Sequence, residues 1–210
     1  MIVVKPSRRE ESARATRRAV LDAATELFVK QGWATTTVEQ IAAHAGVSRP
    51  TVFALGSKAD LLRLARDVAM AGDDRQITVH QRASVQRVLA APDPQSWARR
   101  LAVHIATIAE RYGPLDEVLR QAAGADAELA RLWATSEQQR RTGASLLVEA
   151  LPGVGAMSTE QRSVAVDVLW VLMAPDCHSR LVRARGWAQD RYVTWLTGAI
   201  LALVVEPFDD

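Results

Sequence analysis

The stretch GWATTTVEQIAAHAGVSRPTVFALGSKADL, residues 32–61, decides the fold. Thr37 stands where it can cap a helix whose third residue is Gln40, so that the hydroxyl takes up one orphan amide and the glutamine another. Ile41, Ala42 and Ala45 follow at spacings of three and four, on one side of that helix. Gly46 ends it, as a residue free to turn left-handed commonly does. Ser48 then caps a second short helix opening Arg49, Pro50, Thr51, where a proline is tolerated because first-turn amides have no intrahelical partner. Two short helices joined by a three-residue turn are a helix-turn-helix, whose second helix enters a DNA major groove.

Working outward, Arg18, Leu21, Ala23, Ala24, Leu27, Phe28 and Gly32 precede the motif, and Lys58, Leu61 and Leu62 follow it. With these residues the chain resembles the TetR family of bacterial transcriptional repressors. Near the C-terminus Leu181, Val182, Arg185, Gly186, Trp187, Tyr192 and Trp195 are similar to a stretch that many members carry before their last helix. The resemblance implies an all-α protein. Residues 1–57 would be a three-helix helix-turn-helix domain with a basic N-terminal arm, and residues 58–210 a helical domain for effector binding and dimerisation. Thr36, Thr37, Ser48, Arg49, Pro50, Thr51, Phe53 and Lys58 are the expected DNA-binding residues, Arg49 at a base edge and Thr37, Ser48 and Lys58 at phosphates. Two departures bear on this. Phe53 replaces the usual tyrosine and so lacks a hydroxyl for the DNA backbone, and one residue fewer than usual separates Thr51 from Lys58.

Composition agrees with a globular regulator: 49% apolar and 24% charged residues, with a net charge of +2. Residues 1–60 hold nine Lys and Arg against six Asp and Glu, whereas residues 61–210 hold seventeen against eighteen. The excess concentrates in Lys5, Arg8, Arg9, Arg14, Arg17 and Arg18, read either as an arm on phosphates or as a solvated basic tail. A single cysteine, Cys177, excludes an intrachain disulfide and suits a reducing cytosol. Ile2–Val4 is too short for an export signal, and the apolar run 164–174, broken by Asp167, is too short to span a membrane, so a cytoplasmic location is expected.

Apolar residues recur at three and four throughout the remainder, predicting helices near 12–31, 37–45, 49–55, 58–71, 74–90, 96–111, 115–123, 126–150, 159–174, 176–184 and 188–205. Pro92 and Pro94, Gly113 with Pro114, Gly124, Pro152 with Gly153, Pro175, Gly186 and Pro207 separate them.

For the effector, the resemblance places a cavity among the middle helices. Leu64, Val68, Trp97, Leu101, His104, Ile108, Trp133, Trp170 and Met173 are the expected lining, and the effector is expected to be small and largely apolar. His104 is the one polar group on its stripe, read either as a satisfied core histidine or as a ligand contact. For the dimer, the helix 159–174 is apolar almost all round, and a helix apolar on two sides needs two partners. Asp167, Tyr192, Trp195, Leu196, Ala199, Ile200 and Leu203 are the expected interface. Asp167, amid apolar neighbours, requires a partner or water: it pairs with an arginine such as Arg191 or Arg162, lies at the edge of the interface, or meets a cationic effector.

Other classes fit less well. Cys177, His104, His178 and Asp176 supply the parts of a cysteine nucleophile site without anything to orient them, so no catalytic residue is expected. His44, His80, His104 and His178 are scattered without paired-ligand spacing, so neither a metal nor a cofactor is expected. The partners expected are double-stranded DNA as a palindromic operator, a second copy of the chain and a small effector, with no membrane. The alternative is a DNA-organising protein of the same fold without an effector.

Overall fold

The computed structural model describes residues 7–72 and 82–206; Lys5, the start of the helix expected at 74–90, His80 and Pro207 lie outside them. Every regular element among the described residues is helical. Among the described residues ten α-helices run in chain order: α1 Arg8–Thr35, α2 Val38–Ala45, α3 Arg49–Phe53, α4 Lys58–Ala71, α5 Ala83–Leu89, α6 Pro94–Ala122, α7 Ala127–Glu149, α8 Thr159–Leu172, α9 Pro175–His178 and α10 Gln189–Ile200. Single π-helical stretches, Ser179–Ala184 and Leu201–Val205, continue α9 and α10.

Local capping sets most of the starts. Ser7 with Glu10, Thr37 with Gln40 and Ser158 with Gln161 each form a reciprocal box at the head of α1, α2 and α8. Ser57 and Asp60 do the same for α4, the Ser57 amide donating to Asp60 Oδ2 at 2.9 Å and the Asp60 amide to Ser57 Oγ at 3.1 Å.

One expected break is not there. Gly113 and Pro114 do not separate two helices, because α6 runs through both. The proline removes its own amide from the ladder and its ring crowds the carbonyl one turn earlier, and a helix of this length, buried along much of one side, tolerates that loss.

The chain divides into two compact units, residues 1–68 with 114–133, and residues 69–113 with 134–210. Within the first unit α4 is tied to the segment after Pro114. Arg66 Nη2 donates to Asp116 Oδ1 at 2.9 Å, and both side chains are only 4% exposed. In the first unit Val20, Ala24, Phe28, Ile41, Val52, Leu61 and Leu62 are fully enclosed, as are Leu115, Leu119 and Leu129. In the second unit one apolar cluster joins Trp97 and Leu101 of α6, Ala144 and Val148 of α7, Leu169 of α8, and Tyr192, Leu196 and Ile200 of α10.

Candidate nucleic-acid interface

The turn between α2 and α3 is built from short-range bonds. Thr37 Oγ1 accepts from the Gln40 amide at 3.2 Å, while Gln40 Oε1 accepts from the Thr37 amide at 2.9 Å. Gln31 on α1 donates to that same Gln40 oxygen at 3.0 Å and so fixes α2 against α1. Gly46 closes α2 at φ +67°, a left-handed conformation that side chains other than glycine adopt only with strain. The Val47 amide donates to Ala42 O, completing the turn.

Ser48 then caps α3, accepting from the Thr51 amide at 3.4 Å, and its hydroxyl lies 2.8 Å from that of Thr51. Val52 is wholly buried and anchors the helix from below. Arg49, Pro50 and Phe53 are left exposed, Phe53 by 53%. The Arg49 guanidinium pairs with Glu39 of α2 and lies 5.8 Å from the centre of the Phe53 ring. Glu39 is held below the usual carboxylate range by its own backbone amide, the Thr37 hydroxyl and the neighbouring Arg49 charge. The free protein therefore presents a guanidinium already aligned beside an aromatic face. Helix α3 stops at Phe53, two residues short of the expected end, and the chain turns at Gly56 with φ +125°.

Two of the expected contact residues have other tasks. Thr36 is fully buried, its hydroxyl donating to Gly32 O at 2.7 Å. Lys58 Nζ donates to Trp33 O and Thr36 O, both at 2.9 Å, and sits 4.1 Å from the centre of the Trp33 ring. Burial lowers its pKa, opposed by the charge of Asp126. Lys58 thus closes the end of α1, its chain drawn onto Trp33 and the carbonyls there. Lys58→Met, which keeps the stem and removes the ammonium, should lower stability by about 1–3 kcal/mol, the scale of charge-assisted hydrogen bonds. It should leave the salt dependence of DNA binding unaltered. Urea unfolding and binding titrations at several salt concentrations check both halves, and a salt slope reduced by one would restore the phosphate contact.

The residues expected at the effector site are distributed between the units. Leu64, Val68 and Trp133 belong to the first, and Trp97, Leu101, His104, Ile108, Trp170 and Met173 to the second. Trp97 and Leu101 are sealed in the core, and Trp170 and Met173 pack against it. His104 and Ile108 instead border a cavity of about 490 Å³ whose other walls carry Arg87, Arg99, Arg100 and Arg111. The stripe read as apolar is therefore split: its Trp97, Leu101 and Ile105 side faces the core, and its His104 side faces a polar recess. These arginines were missed from the sequence. Their signal was Arg100, His104, Thr107 and Arg111, at spacings of four, three and four along one helical face.

The residues expected at the dimer interface also separate. Tyr192, Leu196 and Ile200 are fully buried within the chain, and Ala199 and Leu203 are half-buried. Trp195 is 36% exposed. Asp167 lies on the open side of α8 and pairs with Arg141 of α7 at 3.0 Å, not with Arg191 or Arg162. On that same side Val164 is 42% and Val171 is 56% exposed.

The parts of a nucleophile site are not assembled. Burial and the Asp176 charge push the Cys177 thiol upward, away from thiolate. His178 is buried, its Nε2 lying 2.9 Å from Gln189 Oε1, and Gln189 donates onward to Ala106 O at 3.2 Å. No helix among the described residues is long and apolar enough to cross a membrane.

Residues 20–65 match the family model described as bacterial regulatory proteins, tetR family. No curated protein matches the chain. Among solved structures it is similar to NalD of Pseudomonas aeruginosa, the secondary repressor of the MexAB-OprM multidrug efflux pump. The TM-score is 0.68 at 21% identity, over 93% of this chain and 96% of that one. A TetR-family regulator structure from Rhodococcus sp. aligns with TM-score 0.63 at 14% identity, over 91% and 99% of the two chains. One from Mesorhizobium loti aligns with TM-score 0.62 at 18% identity, over 96% and 98%. At these identities the structures establish a shared all-helical fold.

Proposed function

We propose, from the premise that residues 20–65 are a TetR-family DNA-binding domain, that this chain is a homodimeric transcriptional repressor whose hold on a palindromic operator is adjusted by a small molecule. The observation that carries the DNA half is the surface of α3. Arg49 and Phe53 stand exposed on a helix whose start is fixed by Ser48 and whose underside is locked by Val52. Such a helix offers a bidentate donor to a guanine edge and an apolar ring to the thymine methyl or the sugar. Thr37 and Ser48, both exposed at helix N-termini, supply backbone amides and hydroxyls for phosphates.

Arg49→Ala should lose about 1–3 kcal/mol on the preferred duplex and relax preference at one base position. The measurement is a binding titration against a duplex that the protein selects from a random pool and against its single-base variants. Equal weakening on every variant would make Arg49 a phosphate contact.

Dimerisation is supported by the open side of α8, where Val164 and Val171 flank the Asp167–Arg141 pair and are left uncovered by their own chain. A twofold copy would cover them and space two α3 helices by one turn of DNA, about 34–36 Å. An effector acts only by binding one arrangement of the DNA domains better than another. Of the lining residues behind its expected apolar character, Trp97 and Leu101 are enclosed in the core, and the recess beside His104 is the better candidate for its site.

A further inference from the structure

We propose that the recess between the end of α4, α5 and the first half of α6 is a binding site for a small organic anion bearing carboxylate or phosphate groups. The inference rests on the effector reading for its biological consequence but not for its chemistry. Arg87, Arg99, Arg100 and Arg111 converge on about 490 Å³ of space, and among the described residues no carboxylate lines it. Among the described residues Arg87, Arg99 and Arg111 have no side-chain partner. Asp93, at the head of α6, is occupied by the amide of Ser96 at 2.7 Å and its hydroxyl at 2.8 Å.

The recess is also organised. Arg100 Nη1 donates to the carbonyls of Arg87 and Ala90 at 2.8 and 3.0 Å, which fixes its guanidinium across the end of α5. The Arg111 guanidinium occupies the space a β-carbon at Gly72 would take, since such a carbon would lie 2.5 Å from Nη1, and Gly72 has φ +80°. His104 lies between these cations. Burial, with Arg111 and Arg87 nearby, lowers its pKa to about 4, so near neutrality it is an uncharged ring beside fixed positive charges. Guanidinium groups suit planar carboxylates and phosphate oxygens through paired N–H donors, and an anion entering here would relieve the mutual repulsion of four cations.

Citrate and inorganic pyrophosphate, each titrated calorimetrically into the full chain at constant ionic strength set with chloride, are the probes; their two arms separate carboxylate from phosphate preference. At least one is expected to bind saturably, and Arg99→Gln with Arg111→Gln should weaken it tenfold or more. Both side chains are exposed, so circular dichroism should be unchanged. Arg99→Lys, which keeps the charge, should retain some of the affinity, and Arg183→Gln, outside the recess, should retain all of it. Absence of saturable binding by both anions, or equal affinity in the double variant, would overturn the assignment. DNA binding with and without the bound anion separates the two readings. An anion that binds through these arginines without changing duplex affinity keeps the site and removes its effector role. Release of DNA by an apolar compound when neither anion binds keeps an effector and removes this site.

Discussion

Asp116→Ala should lower the stability of the unit that carries the helix-turn-helix by about 3 kcal/mol, the lower end of the range seen when one member of a buried ion pair is removed. The guanidinium of Arg66 and the carboxylate of Asp116 lie 2.9 Å apart with side chains 4% exposed. Deleting the carboxylate takes one close partner from a buried guanidinium, and arginine has no neutral form to adopt near pH 7. The converse experiment isolates the cause. Arg66→Met with Asp116→Leu removes both charges while keeping much of the volume, and it should recover most of the loss. Urea unfolding followed by circular dichroism measures both. A loss below about 1 kcal/mol in Asp116→Ala would mean that the other interactions of Arg66 suffice to hold its charge.

Leu196→Arg and Val171→Arg should fail in opposite ways, although sequence reasoning places Leu196 and its helix in the subunit seam. Leu196 is completely enclosed among Leu169, Tyr192 and Ile200 of its own chain. An arginine there has neither water nor a partner, so Leu196→Arg should unfold the second unit, a loss above about 4 kcal/mol. Val171 is 56% exposed, and Val171→Arg should change the stability of the single chain by no more than about 0.5 kcal/mol. Yet it places a charge in the face proposed to meet a second copy. Sedimentation should show a folded monomer, with operator binding weakened because two half-sites no longer engage together. A folded dimer of Val171→Arg would move the interface away from α8.

The helix-turn-helix was legible because its determinants act within a few residues of one another. Thr37 reaches Gln40, Ser48 reaches Thr51 and Gly46 turns on its own backbone, so chain spacing alone fixes which groups meet. The same short reach joins Ser158 to Gln161 at the head of α8. Periodicity located nearly every described helix for a similar reason, since the apolar repeat is a property of the single helix. It did not determine which neighbour each face would meet.

Tertiary packing decided that. The ammonium of Lys58 went to carbonyls 22 and 25 residues away, and Asp167 chose Arg141, 26 residues back, over the nearer Arg162 and Arg191. His104 shares a helix with Trp97 and Leu101 but turns to the arginines, because its position is displaced around the axis from the enclosed face. Tyr192, Leu196 and Ile200 form an apolar seam that is buried within the single chain. One apolar stripe looks the same whether its partner is the same chain or another. The sequence by itself thus determined the DNA-binding motif, whose bonds are local, and the existence of the helices around it. Only the tertiary structure decided where the charges ended, since a long side chain settles on whichever carbonyl, carboxylate or open cavity the fold brings within its reach.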